Sequence, residues 1–260
     1  MNIGNGMMKR IAKLGLLLMM GASMSACSKS WKEEVLLHDG SKIIVKRSVE
    51  RGGRHEIGQR QPIKEQSLSF TLPSTNQRVE WEDSYSEDIG TASFLPMQLE
   101  IFNGTPYIVA SPMGCLAYNK WGRPNPPYVI FKYDGKAWQR ITLQELPAES
   151  AMPNLVISSP DDAAKQASHG VVSAEKIKKL NTGFKQPEYK TILREALKPG
   201  TRETLYSSVN CLEEIRTGNG WLSIGGFSSQ KSYESCLNVC SREKVTAQNC
   251  PCAKLYKGDK

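Results

Sequence analysis

The chain is 260 residues long, carries a formal net charge of +8, and is 39% hydrophobic and 23% charged. That is enough apolar material for one large or two small domains with a hydrophobic core, which excludes a disordered polymer. Lys9, Arg10 and Lys13 supply three of the positive charges with no acidic residue before position 27, so the remainder is only mildly basic. It has neither a basic stripe interleaved with aromatics nor a nucleic-acid-binding module, and no nucleic-acid partner is expected.

Residues 1–26 read as a signal peptide. Met8-Lys9-Arg10-Ile11-Ala12-Lys13 is a basic start, Leu14 to Met20 is a short apolar run, and Gly21-Ala22-Ser23-Met24-Ser25-Ala26 is a small-residue cleavage region. The apolar run falls short of the ~18 residues that a membrane-spanning helix needs. Met8, directly before Lys9-Arg10, is a plausible alternative start. Cys27 directly follows Ser25-Ala26, which resembles the lipobox of bacterial lipoproteins. The resemblance implies a lipidated Cys27 as mature N-terminus, with a diacylglycerol thioether and an amide-linked acyl chain such as palmitate. Two or more chains anchor a protein stably where one is marginal. Ser28, where aspartate would signal retention in the inner membrane, implies the outer membrane, facing the periplasm. Residues 27–30 are expected to be the lipidated N-terminus and a linker.

From 31 to 148 a β-rich domain is predicted. Val35-Leu36-Leu37 and Ile43-Ile44-Val45 flank His38-Asp39-Gly40-Ser41, and Leu99 to Phe102 and Tyr107 to Val109 flank Asn103-Gly104. A third hairpin joins Tyr128–Tyr133 to Trp138–Leu143 through Asp134-Gly135. Each turn pair offers the positive φ a tight hairpin requires. Val129, Phe131 and Tyr133 share one strand face, and Ile141 and Leu143 alternate likewise. Further strands are predicted at Ser67–Leu72 and Arg78–Glu82. The basic stretch Lys42, Lys46, Arg47, Arg51, Arg54, Arg60 and Lys64, broken by Glu50, Glu56 and Glu65, reads as solvated surface; contact with anionic lipid or glycan is the alternative. His38, in its turn, reads as a surface residue.

Residues 149–210 are predicted to be helical. Ser159-Pro160-Asp161-Asp162 opens one helix with a capping residue, an N1 proline and first-turn acids. Ser173–Leu180 and Pro187–Leu197 are the other two, and Pro199-Gly200 ends the region. The fold class is therefore α+β: a mainly antiparallel β-rich domain, then short helices and a disulfide-tied C-terminal region over 211–260.

Cys115, Cys211, Cys236, Cys240, Cys250 and Cys252 are an even set in an exported chain, which points to disulfides. If Ser232–Arg242 is helical, Cys236 and Cys240 sit one turn apart, with Cβ atoms ~5–6 Å apart against the ~3.5–4.5 Å of a disulfide. A Cys250–Cys252 bond would close a tight ring across Pro251. Several pairings survive; the favoured set is Cys115 with Cys211, Cys240 with Cys250 and Cys236 with Cys252, a clamp of helix against tail. The alternative for the last four is zinc, although their spacing is not that of common zinc ribbons. No metal and no cofactor is expected.

The chain has no H-E-x-x-H, G-x-S-x-G or P-loop, and His38, His55 and His169 are scattered. Cys115 with His169 as base yields to the disulfide reading. Glu80, Glu82, Asp83, Glu87 and Asp88 form an acidic cluster without the regularity of a calcium loop. The segment from Tyr118 to Tyr128 is the candidate binding loop. Its prolines stiffen it, and Tyr118, Lys120, Trp121, Arg123, Asn125 and Tyr128 combine aromatic, cationic and amide groups suited to a protein contact. The bland reading is a rigid connection with its aromatics packed on the domain.

Gly104-Thr105-Pro106-Tyr107-Ile108, Gly114-Cys115, Tyr118 through Tyr128, Phe131 to Gly135 and Pro187 to Glu195 resemble a family of proteobacterial lipoproteins. The likeness covers most of the chain after the signal up to about Cys211, and the tail after Trp221 departs from it. The family brings no established activity. The expected function is a membrane-anchored, periplasm-facing, non-enzymatic binding protein, either an immunity or inhibitor lipoprotein or an envelope accessory factor, with a protein partner. The alternative is a hydrolase of envelope polymer or lipid using Glu82, Asp83, Glu87 or Asp88 as acid and base.

Overall fold

The computed structural model describes residues 28–53, 55–166 and 170–256. The signal peptide, Cys27 and His169 lie outside them. The fold is α+β with mostly antiparallel sheets, as expected. No helix among the described residues is long and apolar enough to cross a membrane.

Four strands form a meander: β1 (Lys29–Leu36), β2 (Lys42–Arg51), β3 (Ile63–Thr71) and β4 (Arg78–Asp83). Along β1 and β2 every second residue points inward, the two-residue period of a sheet with one dry face. The β1–β2 turn closes with Gly40 at φ +83° and the Asp39 carboxylate accepting from the Ser41 amide at 2.9 Å. Arg47, read from the sequence as part of a solvated basic stretch, is buried instead. It stands opposite Trp31, and its guanidinium reaches, at 2.9 Å, the next inward residue of β1, Glu33, which is wholly buried too.

The second sheet is also a meander, of β5 (Phe94–Phe102), β6 (Thr105–Pro112), β7 (Val129–Tyr133) and β8 (Trp138–Ile141). Asn103 (φ +50°) and Gly104 (φ +77°) make the β5–β6 turn. Both faces of this sheet are covered, which explains the unbroken burial of β6. Ile108, Ala110 and Val129 pack against Val45, Leu68 and Trp81 of the first sheet. Tyr107, Val109 and Ile130 face Leu146, Ile157, Tyr189 and Ile192 from the segment beyond β8. The predicted strand to Leu143 stops at Ile141. Thr142 and Glu145 bond reciprocally as a capping box, turning Leu143–Glu145 into a 3-10 helix.

A helix absent from the sequence reading, α1 (Gly114–Lys120), follows β6. α2 (Pro160–Gln166) begins at its proline and α3 (Ala174–Asn181) is capped by the Ser173 side chain, both as predicted. Between them Val171–Val172 forms β9, which joins β1 in parallel and was not anticipated. The predicted helix over Pro187–Leu197 is corrected: only Pro187–Tyr189 turns, as a 3-10 helix. The Ile192 and Leu193 amides are bonded elsewhere, to the Ala151 carbonyl at 2.8 Å and the Tyr128 hydroxyl at 3.1 Å.

The tail is a β10–β11 hairpin (Glu214–Thr217, Gly220–Ser223) with α4 (Gly225–Ser228), α5 (Tyr233–Arg242) and α6 (Cys252–Leu255). It has its own small core of Phe227, Val239 and three cysteines.

Candidate functional site

The candidate loop is used inwardly. Tyr118 is buried, with the Arg123 guanidinium 5.0 Å from its ring centre. Arg123, at φ +52°, donates to the carbonyls of Cys211 at 2.7 Å and Leu212 at 3.0 Å and to Asn119 Oδ1 at 2.9 Å. Asn119, which the sequence reading passed over, also accepts from the Glu214 amide and donates to Leu212 O. Lys120 pairs with Asp88 at 2.9 Å. Trp121 packs on Phe94 at 4.7 Å beneath the Arg140 guanidinium, its indole N–H unpartnered among the described residues. Asn125 bonds both the amide and the carbonyl of Leu197. The Tyr128 hydroxyl accepts from Leu193 N–H and lies 3.0 and 3.1 Å from the carbonyls of Glu188 and Thr191. Arg123 therefore ties the start of the tail to this loop, and Asn125 and Tyr128 tie the 187–197 segment to it, while Lys120 and Trp121 hold the loop to Asp88 and Phe94.

The cysteines pair as Cys115–Cys211, Cys236–Cys252 and Cys240–Cys250, the set favoured from spacing. Although the sulfurs of Cys240, Cys250 and Cys252 lie within 4.8 Å of one another, each is already spent on a bond. No thiolate is left there for zinc in this state.

The acidic cluster divides: Glu82 and Asp83 line a small polar hollow with Glu50 and Glu65, and Asp88 pairs with Lys120. Asp83 is buried and accepts from Gln66 Nε2 at 2.9 Å and from the amides of Ser93 and Phe94 at 3.0 and 2.8 Å; burial pushes its carboxyl above the ordinary range. For Asp88 burial acts the same way, but the Ser86 hydroxyl and Lys120 outweigh it and hold the carboxyl below that range. Glu82 and Glu87 are exposed.

Two hollows stand out. A cleft of about 660 Å³ beside Asn125 and Pro126 is lined by Arg140, Gln144 and Arg194. Its main cation is engaged, since Arg194 donates to the carbonyls of Leu146, Pro147 and Ser150. The second, about 580 Å³, lies between the β1–β2 turn, residues 149–154 and the start of α3. Leu36, Leu37, Met152, Pro153 and Ile177 give it apolar walls, with Leu36 45% and Met152 53% exposed at the rim.

His38 is an exposed residue of the β1–β2 turn, as read from the sequence, and its side chain also lines this groove. The turn lays its imidazole on the Phe102 ring at 4.1 Å, with Nδ1 3.0 Å from Glu100 Oε2. The same carboxylate oxygen accepts from the His38 amide, and the other from Asn154 Nδ2 at 3.3 Å. Burial raises the Glu100 carboxyl. The carboxylate holds the ring through Nδ1, and no bond to Nε2 is formed among the described residues. No hydroxyl or thiol side chain lines the groove. Its walls are largely apolar, with Glu149, Glu175 and Lys178 adding charge beside the oriented His38–Glu100 pair. Sequence separation hid it, because His38 and Glu100 are 62 residues apart.

No family model, no curated protein and no solved structure matches this chain.

Proposed function

We propose that the protein is a lipid-anchored, periplasm-facing binding protein of the outer membrane, without enzymatic activity, that captures a protein partner in the groove between the β1–β2 turn and α3. The observation carrying this reading is the groove itself: exposed Leu36 and Met152 around apolar walls, with the oriented His38–Glu100 pair among its lining. Exposed apolar groups around a concave site gain most from being covered, and a fixed polar group supplies specificity. The lipobox at Cys27 and the likeness to proteobacterial lipoproteins support the anchor. An immunity or inhibitor role and an envelope accessory role would both use such a protein-binding surface. The hydrolase reading has less support, since Asp83 and Asp88 are occupied by internal bonds.

The test is a pull-down from detergent-solubilised envelopes with the wild-type chain, a Leu36→Glu/Met152→Glu variant and a Trp121→Ala/Arg123→Ala variant, all checked for a native melting curve. The groove variant should lose the partner and the loop variant should keep it. Equal recovery with the groove variant would remove the groove as the interface, and loss confined to the loop variant would move the site there. Incorporation of labelled palmitate, abolished by Cys27→Ser, checks the anchor.

A further inference from the structure

We infer that the protein rests on the membrane through the β2–β3 end of its first sheet, with Ile57 entering the boundary between lipid headgroups and acyl chains. The inference rests on the acylation of Cys27 proposed above. β1 begins at Lys29, only two residues beyond Cys27, a reach of at most about 7 Å. Residues 29 and 30 of the expected 27–30 linker thus belong to the strand. Whatever lies at this end of the sheet is held against the bilayer.

The register says what lies there. Lys29 is opposite Val49, and Arg51 is opposite Ile63, so the β2–β3 connection leaves from the end where β1 starts. At its tip, in the turn closed by the Gln59 amide on the Glu56 carbonyl at 3.0 Å, Ile57 is 106% exposed. Among the described residues no other large apolar side chain is offered so completely to water. The base of the connection is fixed. Arg51 grips Asp161 through two nitrogens at 2.8 and 3.0 Å and also bonds the Gln61 carbonyl, while Arg60 reaches the same carboxylate at 2.5 Å. The base that carries the tip is therefore held in place by ion pairs to the buried Asp161 carboxylate.

Charge does not drive the contact, because Arg51, Arg60 and Lys64 are matched by Asp161, Asp162 and Glu50. The anchor does: a tethered second contact is intramolecular, so burying a single isoleucine suffices to bias orientation. The β1–β2 turn lies at the other end of β1, ~25 Å away along the strand. The groove beside that turn then opens away from the membrane, into the space where a soluble partner arrives.

The experiment uses the full acylated chain reconstituted in phosphatidylethanolamine and phosphatidylglycerol vesicles with brominated acyl chains. An environment-sensitive fluorophore is placed on Ile57→Cys or, at the opposite end of the first sheet, on Ser74→Cys. Acylation is read in the same samples by intact mass. The expected result is a blue shift and loss of emission at position 57, with neither at position 74. Acylated protein with no difference between the two positions overturns the orientation and leaves the anchor standing. Absence of acylation overturns both. A shift at position 57 in native envelopes but not in protein-free vesicles would make Ile57 a protein contact and also overturn the inference.

Discussion

Glu33 and Arg47 are inward residues on neighbouring strands, buried to 0% and 2% exposure. Glu33 accepts from Trp31 Nε1 at 2.8 Å, Arg47 Nη1 at 2.9 Å and the Val156 amide at 3.0 Å, and Arg47 also donates to the Val156 carbonyl at 2.7 Å. One of these bonds lies within β1, one joins β1 to β2, and the two to Val156 tie the sheet to the segment beyond β8. Arg47→Met should cost about 3–5 kcal/mol in urea unfolding, because it strands a buried carboxylate; Glu33→Leu/Arg47→Met together should cost clearly less. Equal losses would show that the charge is not what matters. Asp161 tests the electrostatics differently. Burial pushes its carboxyl up, but Arg51 and Arg60 outweigh that and hold it below the ordinary range. A carboxyl lowered in the folded state stabilises above its unfolded pKa, and that contribution is lost as pH falls through the folded value. Asp161→Asn should therefore lower stability by about 1–3 kcal/mol at neutral pH, a gap that narrows in acid, as read from melting temperature against pH.

At the scale of elements, the 187–197 segment shows how tertiary bonds displace a local preference. Its sequence supports a helix, yet Tyr128 stands where it captures the Leu193 amide, and the Ala151 carbonyl captures that of Ile192. A chain bonded outward at successive residues cannot complete helical turns. Tyr128→Phe should cost about 1–3 kcal/mol, since the apolar ring fits while three backbone groups lose a partner. Hydrogen exchange should show faster opening at Leu193 and Ile192 and unchanged protection in β6. Uniform loss of protection would mean that the hydroxyl supports the whole second sheet. The candidate loop illustrates the same principle. Its aromatic and cationic residues were legible as contact-makers, but nothing local tells whether their partner is another protein or the chain's own residues 187–214.

At the scale of the molecule, the two sheets share one core through Val45, Leu68, Ile108 and Val129, whereas the tail packs around Phe227 and its two disulfides. The tail joins the body by the Cys115–Cys211 bond, the Arg123 and Asn119 bonds and the Trp221 indole on the Asp88 carbonyl at 2.6 Å. Cys236→Ser should destabilise the tail by ~2–4 kcal/mol and expose it to protease first, leaving the sheets folded. The unreduced wild-type chain should weigh ~6 Da less than the reduced one, with no thiol open to alkylation. Four alkylated thiols and one zinc released on chelation would replace the clamp with a metal module.

Strand alternation, the Asn103-Gly104 turn, the helix starts at Pro160 and Ser173 and the even cysteine set are local signals, carried by periods and φ preferences within a few residues. For that reason the sequence alone determined the α+β class, most strands and two of the longer helices. Cysteine spacing went further, because a helix turn and a Cys-Pro-Cys step limit which sulfurs can meet. Only the tertiary structure decided that Arg47 is buried, that Val171–Val172 extends the first sheet, that the 118–128 segment braces the interior and that His38 meets Glu100 in the lining of a largely apolar groove. Each of these joins residues tens of positions apart, and the pairing depends on which sheet faces pack together. That choice is made by burial summed over the whole core, and no short window of sequence contains it.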